Sequence, residues 1–362
     1  MTDLRAARVR RWLLDDVLPL WRGPGVDEEA FGVWEALDHA GRPLQDLPKR
    51  LRVQARQSFA FSTMARVFGT DDLCLAAQLF KDTLEYGVEK GSGNLASLFD
   101  RHGGILAAPH ELYDVAFMLL ADAGLRLAGA PPDHSSDTLL SRLKAKRGWR
   151  ENLISPDQPR RQNPHMHLFE ASLAQHRAGV EGYLDIAEEC LDLFRDIFLQ
   201  PDGHVLELFD DNWRPVASGQ RIEPGHIAEW IYLIDLYERE TGRSSGIDLD
   251  RMFARVLASR DQTGFLSDAS VPIVSTRRLW PQTEFLKAAI VMAARRAAPQ
   301  ELADEIMDAT FAAYFAAPER GGWYDQFDGE GRLVSSTMPA SSLYHVLTAC
   351  LAYMNAVSGE AF

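Results

Sequence analysis

Three segments of this chain repeat one pattern, and their spacing limits the folds that the chain can adopt. Each runs from alternating apolar and polar residues through an acidic turn to an arginine, as expected of a β-hairpin. The segments are 31–43, 204–215 and 323–333. Their arginines, Arg42, Arg214 and Arg332, are separated by 172 and 118 residues. Both separations are multiples of about 58 residues, and weaker copies begin at His102 and Thr263, near the intermediate positions. The spacing predicts six units of about 60 residues.

Helical periodicity fills most of the chain between these segments. Stretches such as Ala116–Leu120 and Ala288–Met292 are apolar on all sides, which is typical of helices packed on both faces. Six helix pairs that close on themselves form an all-α (α/α)6 barrel with short β-hairpins in the loops, and an open helical solenoid is the alternative. We expect one barrel domain over residues 1–362. The predicted helices are 51–68, 73–90, 110–128, 166–177, 180–198, 225–241, 248–259, 282–297, 299–316 and 340–357.

The composition narrows the class of partner. The net charge is −14 and 46% of the residues are hydrophobic, so the chain can form a large core, and its surface repels nucleic acid. The three cysteines are far apart and form no CxxC motif, which favours a reducing compartment. The N-terminus lacks the apolar core of a signal peptide, and the most apolar stretch, Val115–Leu120, is too short to span a bilayer. We expect a cytoplasmic protein that binds neither nucleic acid nor membranes.

Two histidines stand near predicted helix starts with a carboxylate three residues later. His167 precedes Glu170, and His226 precedes Glu229, so each pair shares a helix face and can hydrogen-bond. The helix dipole is expected to lower the pKa of His226 and keep it available as a neutral base. The alternative reading is a satisfied core histidine or a surface pair. For His165, which points elsewhere on its helix, helix capping is equally plausible.

Further polar residues occupy comparable positions. His345 enters the last predicted helix behind small residues that would let a ligand approach. Trp280 suits stacking on a sugar, while Gln282 and Glu284 suit binding hydroxyls or orienting a histidine. Arg56, on a mostly apolar helix face, is a candidate clamp for an anion or oxygen.

Other chemistries have little support in the sequence. It contains no P-loop or HExxH motif. His226 and Glu229 are able to supply two metal ligands, but no spacing indicates the third. The carboxylate pair of a glycosidase cannot be picked out among 52 acidic residues.

Six short matches, in order along nearly the whole chain, resemble the N-acylglucosamine 2-epimerase superfamily. This superfamily also includes cellobiose 2-epimerases, mannose isomerases and sulfoquinovose isomerases, and its fold is the (α/α)6 barrel. The matches are Arg56 within Gln-Ala-Arg-Gln, Tyr113–Phe117, Asn163–Ala171, Pro224–Trp230, Trp280–Glu284 and Tyr344–His345.

The resemblance implies roles for these residues. His226 would assist ring opening and one proton transfer, oriented by Glu229. His345 would be the principal base at C2 of the sugar, and His167 would bind near the reacting carbons. No metal or cofactor is implied. The substrate-binding residues would be Arg56, Tyr113, Asn163, Trp280, Gln282 and Glu284.

The subtype rests on two departures from the family patterns. Disaccharide epimerases usually carry two adjacent tryptophans where this chain has Leu279 and Trp280, which favours a monosaccharide. Mannose isomerases often have a histidine where this chain has Val115. We expect a D-mannose–D-fructose isomerase, with a D-mannose–D-glucose 2-epimerase or a mannose-6-phosphate isomerase as the alternative. The resemblance also allows a homodimer.

Two other classes stay open from the residues alone. An inverting glycosidase or a lyase on the same barrel predicts two carboxylates facing each other across the pocket. A non-catalytic sugar-binding barrel predicts that His167, His226 and His345 do not converge.

Overall fold

A computed structural model describes residues 2–132, 136–155 and 158–359 of the chain. The ends of the expected domain, residue 1 and residues 360–362, lie outside this described part. The helices are α1 (Thr2–Arg11), α2 (Leu18–Arg22), α3 (Leu51–Phe68), α4 (Leu73–Gly87), α5 (Leu112–Leu127), α6 (Asp137–Ser141), α7 (Gln162–Arg177), α8 (Tyr183–Leu193), α9 (Pro224–Thr241), α10 (Leu249–Ala258), α11 (Leu279–Ala294), α12 (Gln300–Ala313) and α13 (Ser342–Ser358). Two π-helical segments cover Trp12–Val17 and Phe194–Phe198.

Six of these helices form a closed inner ring. Helix α3 packs against α5, α5 against α7, α7 against α9, α9 against α11 and α11 against α13, and α13 returns to α3. These helices are buried on both faces. In α5, for example, the residues Val115–Ala121 form an uninterrupted run of buried apolar side chains. The fold is an (α/α)6 barrel, as predicted, and the ring excludes the open solenoid.

The outer helices complete the six pairs. Helices α4, α6, α8, α10 and α12 each pack on the inner helix before them in the chain, whereas α1 packs on α13. The two ends of the chain thus form the sixth pair and close the barrel. The sequence analysis did not predict α1, α2 or α6.

Short strands join the hairpins to the inner helices. Strand β1 (Ala36–Asp38) pairs with β11 (Thr337–Pro339), and β2 (Lys49–Arg50) pairs with β3 (Leu98–Phe99), which also pairs with β4 (Ile105–Ala107). Strand β5 (Arg160–Arg161) pairs with β6 (Leu208–Phe209), β7 (Ala269–Ser270) with β8 (Ile273–Val274), and β9 (Arg277–Arg278) with β10 (Gln326–Phe327). Strands β2, β5, β9 and β11 lead into α3, α7, α11 and α13. The hairpins therefore fix where these inner helices begin.

One turn recurs through the hairpins. An aspartate accepts hydrogen bonds from the backbone N–H groups two and four residues later, which is an Asx-type turn. The five aspartates are Asp38, Asp100, Asp210, Asp261 and Asp328. The turns at Asp100 and Asp261 belong to the weaker copies, so the predicted repeat is real at the intermediate positions too.

Within the described part of the chain, no helix is long and apolar enough to cross a membrane.

Candidate active site

The polar residues singled out in the sequence gather at the N-terminal ends of the inner helices. Arg56, His167, His226, Glu284 and His345 each lie within the first two turns of their helix. They come from five different inner helices and are all buried, with exposed fractions of 7%, 2%, 6%, 0% and 6%. The strands that lead into α3, α7, α11 and α13 therefore also fix the positions of the side chains that these four helices carry.

Aromatic rings connect the three histidines. The indole of Trp280 lies 5.0 Å from the His226 ring and 5.7 Å from the His345 ring, measured between centroids. Tyr344 lies 4.7 Å from His345 and 6.3 Å from His167. The histidines converge on one site, and the separation expected of a non-catalytic barrel is not observed.

Close packing at a glycine sets the position of Trp280. A β-carbon added at Gly225 would lie 2.6 Å from the indole ring. The absence of a side chain at this position, directly before His226, lets the indole lie beside the imidazole.

Each of the three histidines directs its Nδ1 atom at a carboxylate. His345 contacts Glu284 at 2.7 Å, His226 contacts Glu207 at 2.9 Å, and His167 contacts Glu170 at 3.2 Å. A carboxylate on Nδ1 fixes the ring orientation and places the proton of a neutral imidazole there. It leaves Nε2 as the atom available for proton transfer.

The partner of His226 differs from the one expected. The spacing predicted Glu229, but the hydrogen bond goes to Glu207, which lies 19 residues earlier. Glu207 directly precedes β6, and its carbonyl accepts the N–H of Gln162 at the start of α7. This pairing brings its side chain to the start of α9. A lone acidic residue between Leu206 and Leu208 in an apolar strand was the signal in the sequence.

The protonation of His226 also differs from the expectation. Burial disfavours the imidazolium, but the carboxylates of Glu207 and Glu223, 2.9 and 4.0 Å from Nδ1, outweigh it and raise the pKa of His226 to about 9. The predicted lowering by the helix dipole is wrong because two full negative charges exceed the partial charge of a helix end. The side-chain amide of Asn163 lies 3.2 Å from Nε2, and its Oδ1 has no other partner among the described residues. Turning this amide by 180° gives the Nε2–H of the imidazolium an acceptor.

His345 and His167 have the opposite protonation. Burial lowers the pKa of His345 well below its usual value, and the nearby cations Arg56 and Lys287 lower it further. Burial, and then the Arg56 charge, lower the pKa of His167 to about 4 even though Glu170 opposes them. At neutral pH the site therefore combines one imidazolium with two neutral imidazoles.

Arg56 faces the site without a carboxylate partner in the described chain. Its guanidinium donates to the Tyr113 hydroxyl at 2.9 Å and to the Ser341 carbonyl at 3.4 Å, and it lies 4.1 Å from the Phe117 ring centroid. No described residue accepts a hydrogen bond from its Nε–H. A buried cation with free donor capacity suits an oxygen that becomes negatively charged during a reaction.

Two of the predicted positions have structural contacts. The side-chain amide of Gln282 is fully buried and contacts the backbone of Leu266 and Arg278. It has no free group for a sugar hydroxyl, so the predicted substrate contact is not supported. His165 donates from Nδ1 to the Arg161 carbonyl and accepts the Trp149 N–H at Nε2, which agrees with a structural role.

Two overlapping groups of side chains offer metal ligands. Glu229 combines either with His167 and Glu170 or with Glu284 and His345, with ligand atoms within 4.8 Å of one another. His226 belongs to neither group. The Lys287 ammonium lies 2.7 Å from Glu284 and competes with a cation for the second group.

The site is recognised by its chemistry rather than by the size of a cavity. A cavity of about 750 Å³ on the outer surface is lined by residues of α4, α5 and α6, among them Phe80, Leu84 and Leu125. None of the predicted site residues contributes to it.

A barrel with three histidine–glutamate pairs and an arginine at its inner helix starts has the features of a sugar epimerase or isomerase. The model of the N-acylglucosamine 2-epimerase (GlcNAc 2-epimerase) family matches residues 32–349, and the chain belongs to this family. It is therefore an enzyme of the isomerase class.

Named relatives are consistent with this assignment. The chain is 34% identical to a mannose-6-phosphate isomerase of Rhizobium meliloti (strain 1021), with 96% of each chain covered. It is 27% identical to a D-mannose isomerase of Thermobifida fusca, covering 63% of this chain and 65% of the relative. The fold is shared with the solved structure of cellobiose 2-epimerase from Bacillus thermoamylovorans B4167, which superposes with a TM-score of 0.84 at 19% identity, over 98% and 99% of the two chains.

Proposed function

We propose that the protein interconverts D-mannose and D-fructose by metal-free proton transfer through an enediol. The observation that carries the proposal is the asymmetry of the site. His226 is an imidazolium, His345 is a neutral imidazole, and Arg56 is a buried cation without a carboxylate partner among the described residues. An acid, a base and an oxyanion clamp are the three groups that this reaction needs.

Ring opening is assigned to His226. A proton must reach the ring oxygen while the anomeric hydroxyl loses one. The His226 imidazolium donates from Nε2 to the ring oxygen and recovers a proton from the neighbouring anomeric hydroxyl. His226 thus ends in its starting state, and the open-chain aldehyde is free to react.

The isomerisation step is assigned to His345. The C1 aldehyde makes the C2 proton acidic, and the neutral Nε2 of His345 removes it. The negative charge develops on O1, where Arg56 stabilises it. His345 then returns its proton to C1, while His226 protonates O1 and accepts the proton of O2. The product is the ketose.

Ion pairing around the site favours a free sugar over a sugar phosphate. Four arginines lie in the strands that lead into α7 and α11, where their charges suit a phosphate group. Each already pairs with a carboxylate; the pairs are Arg160–Asp211, Arg161–Glu151, Arg277–Asp261 and Arg278–Asp268. A phosphate dianion would have to displace these partners. We therefore propose D-mannose as the substrate, although one relative is named for the phosphate.

Proton NMR of D-mannose with the enzyme in deuterated buffer containing EDTA tests the proposal. Fructose with deuterium at C1 supports it. Glucose with deuterium at C2 would assign the chain as a 2-epimerase that uses the same residues, since both His226 and His345 lie next to Trp280. Turnover of mannose 6-phosphate but not of mannose would assign the phosphorylated sugar as the substrate. If the enzyme reacted with neither mannose nor mannose 6-phosphate, this result would contradict the proposal.

The pH dependence of kcat/KM is expected to depend on Glu207. Activity requires protonated His226, so kcat/KM should fall as the pH rises through about 9. Glu207→Gln removes the carboxylate nearest to Nδ1, lowers the pKa of His226 and moves the alkaline limb to lower pH by about one to three units. The measurement is kcat/KM for mannose from pH 5 to 10.

A remote pair provides the control. His204 and Asp202 form a similar pair at 2.9 Å on the half-exposed turn before β6. Asp202→Asn should leave the profile unchanged. An alkaline limb that stays in place in Glu207→Gln would show that His226 is not the acid.

A further inference from the structure

A second layer of buried charge lies next to the three histidines. It consists of the carboxylates of Glu170, Glu229 and Glu284 and the ammonium of Lys287. Lys287 is one turn after Glu284 on α11, only 1% of the residue is exposed, and its Nζ lies 2.7 Å from Oε2 of Glu284. A fully buried lysine requires a partner, and here that partner is the residue that holds His345.

The three carboxylates have different partners. Glu170 accepts the hydroxyl of Tyr344 and contacts His167. Glu284 contacts both His345 and Lys287. Oε1 of Glu229 is buried and has no hydrogen-bond partner in the described chain; the nearest basic nitrogen to it, Nδ1 of His167, is 3.9 Å away.

Electrostatics does not allow all three carboxylates to be ionised. Like charges this close in a buried site raise one another's pKa until one group keeps its proton. The ammonium of Lys287 contacts Glu284 and not Glu229. Glu284 is therefore the carboxylate that stays ionised, and Glu229 is the group left to carry the proton.

We propose that Lys287 is a positioning residue that keeps Glu284 ionised. The ionised Glu284 then fixes the Nδ1–H tautomer of His345, and the proton that the three buried carboxylates must retain stays on Glu229. The inference rests on the proposed function, in which Nε2 of His345 is the base. Burial, and then the charge of Glu284, raise the pKa of Glu229 well above its usual value, which agrees with this assignment.

Every inner helix that faces the layer contributes a charged or titratable group. Besides Lys287 and Glu284 of α11, these are Arg56 from α3, Glu170 and His167 from α7, Glu229, Tyr232 and His226 from α9, and Tyr344 and His345 from α13. Loss of the Lys287 charge strengthens proton binding by His345 and by the carboxylates alike. In either case Nε2 of His345, the proposed base, keeps a proton up to a higher pH than in the unmodified enzyme.

The first test is the acid limb of the pH profile in Lys287→Met. We expect kcat to fall about 10- to 100-fold with KM within a factor of two, and the acid limb of kcat/KM to move to higher pH by about one to three units. Lys287→Arg should restore the limb because it restores the charge.

Lys49→Met is the matched control. Lys49 is also fully buried and forms a 2.8 Å ion pair with Asp27, but it contacts none of the site residues described above. Its loss should lower thermal stability without moving the limb. An unchanged limb in Lys287→Met would overturn the proposal.

The second test compares two variants that keep the volume of the side chain. Glu229→Gln imitates a protonated carboxyl, whereas Glu284→Gln removes the charge that fixes the tautomer of His345. We expect Glu284→Gln to lose at least about tenfold more kcat than Glu229→Gln, because a wrong tautomer alone costs orders of magnitude. Equal losses would contradict the assignment of the proton to Glu229.

A measurement without any sugar separates this inference from the proposed function. Nitrogen-15 NMR of histidine-labelled protein reports the tautomer of His345, assigned by its absence in His345→Asn. We expect the Nδ1–H form in the unmodified protein and imidazolium or the other tautomer in Lys287→Met at the same pH. This result would support the role of Lys287 even if mannose proved not to be the substrate, and an unchanged spectrum would refute it even if mannose reacts.

Discussion

His345→Asn is expected to lower kcat for mannose–fructose interconversion by about 10²- to 10⁴-fold, the range for removal of a general base. The asparagine amide can still donate an N–H to Glu284 in place of Nδ1, so the buried carboxylate keeps a partner and the barrel stays folded. KM should change little, because stacking on Trp280 and the contacts of Arg56 do not depend on the imidazole. The measurement is steady-state kinetics together with the loss of deuterium exchange at C2 of mannose.

The matched control is another buried histidine. His165 is fully buried, and both of its ring nitrogens contact the backbone. His165→Asn should lower the melting temperature but leave kcat within about threefold of the unmodified enzyme, since His165 lies outside the site. A kcat of His345→Asn within tenfold of the unmodified value would show that another group removes the C2 proton.

The local pattern was sufficient to predict most of the barrel. Helix α3 was predicted at its observed bounds, and the Asp–Arg turns marked the repeating unit because a turn is specified by residues close in sequence. The pairing of α1 with α13 was not predicted. It joins the two ends of the chain, and periodicity within a window contains no information about contacts between helices so far apart in sequence.

The residue types of the site were predictable, but their pairing was not. The three-residue spacing on one helix suggested a bond between His226 and Glu229, whereas the carboxylate on His226 comes from Glu207 in a neighbouring hairpin. That choice depends on the register between β5 and β6. The protonation of His226 follows from the same contact, so the charge of the acid could not be predicted before its partner was known. Lys287 went unnoticed because a lysine within an apolar helix has no motif.

Arg56→Met is expected to lower kcat by about 10²- to 10³-fold, the usual cost of removing an oxyanion donor, without lowering the melting temperature. Methionine fills the space of the arginine stem against Phe117. The guanidinium is buried without a carboxylate partner among the described residues, so its removal relieves a desolvation cost instead of breaking an ion pair. Removing its charge also raises the pKa of His345 and His167, which should move the acid limb of kcat/KM to higher pH.

Arg52, four residues earlier on α3, is the control that separates binding of the transition state from stability. It lies 3.2 Å from the buried carboxylate of Asp114, so Arg52→Met leaves an uncompensated buried acid and should cost on the order of 3 kcal/mol of folding free energy. Its kcat should fall far less than that of Arg56→Met. If kinetics show the larger loss of kcat in Arg56→Met and thermal denaturation shows the larger loss of stability in Arg52→Met, Arg56 is retained for chemistry at the expense of stability. Equal destabilisation by both variants, with parallel losses of activity, would instead assign Arg56 to the structure of the barrel.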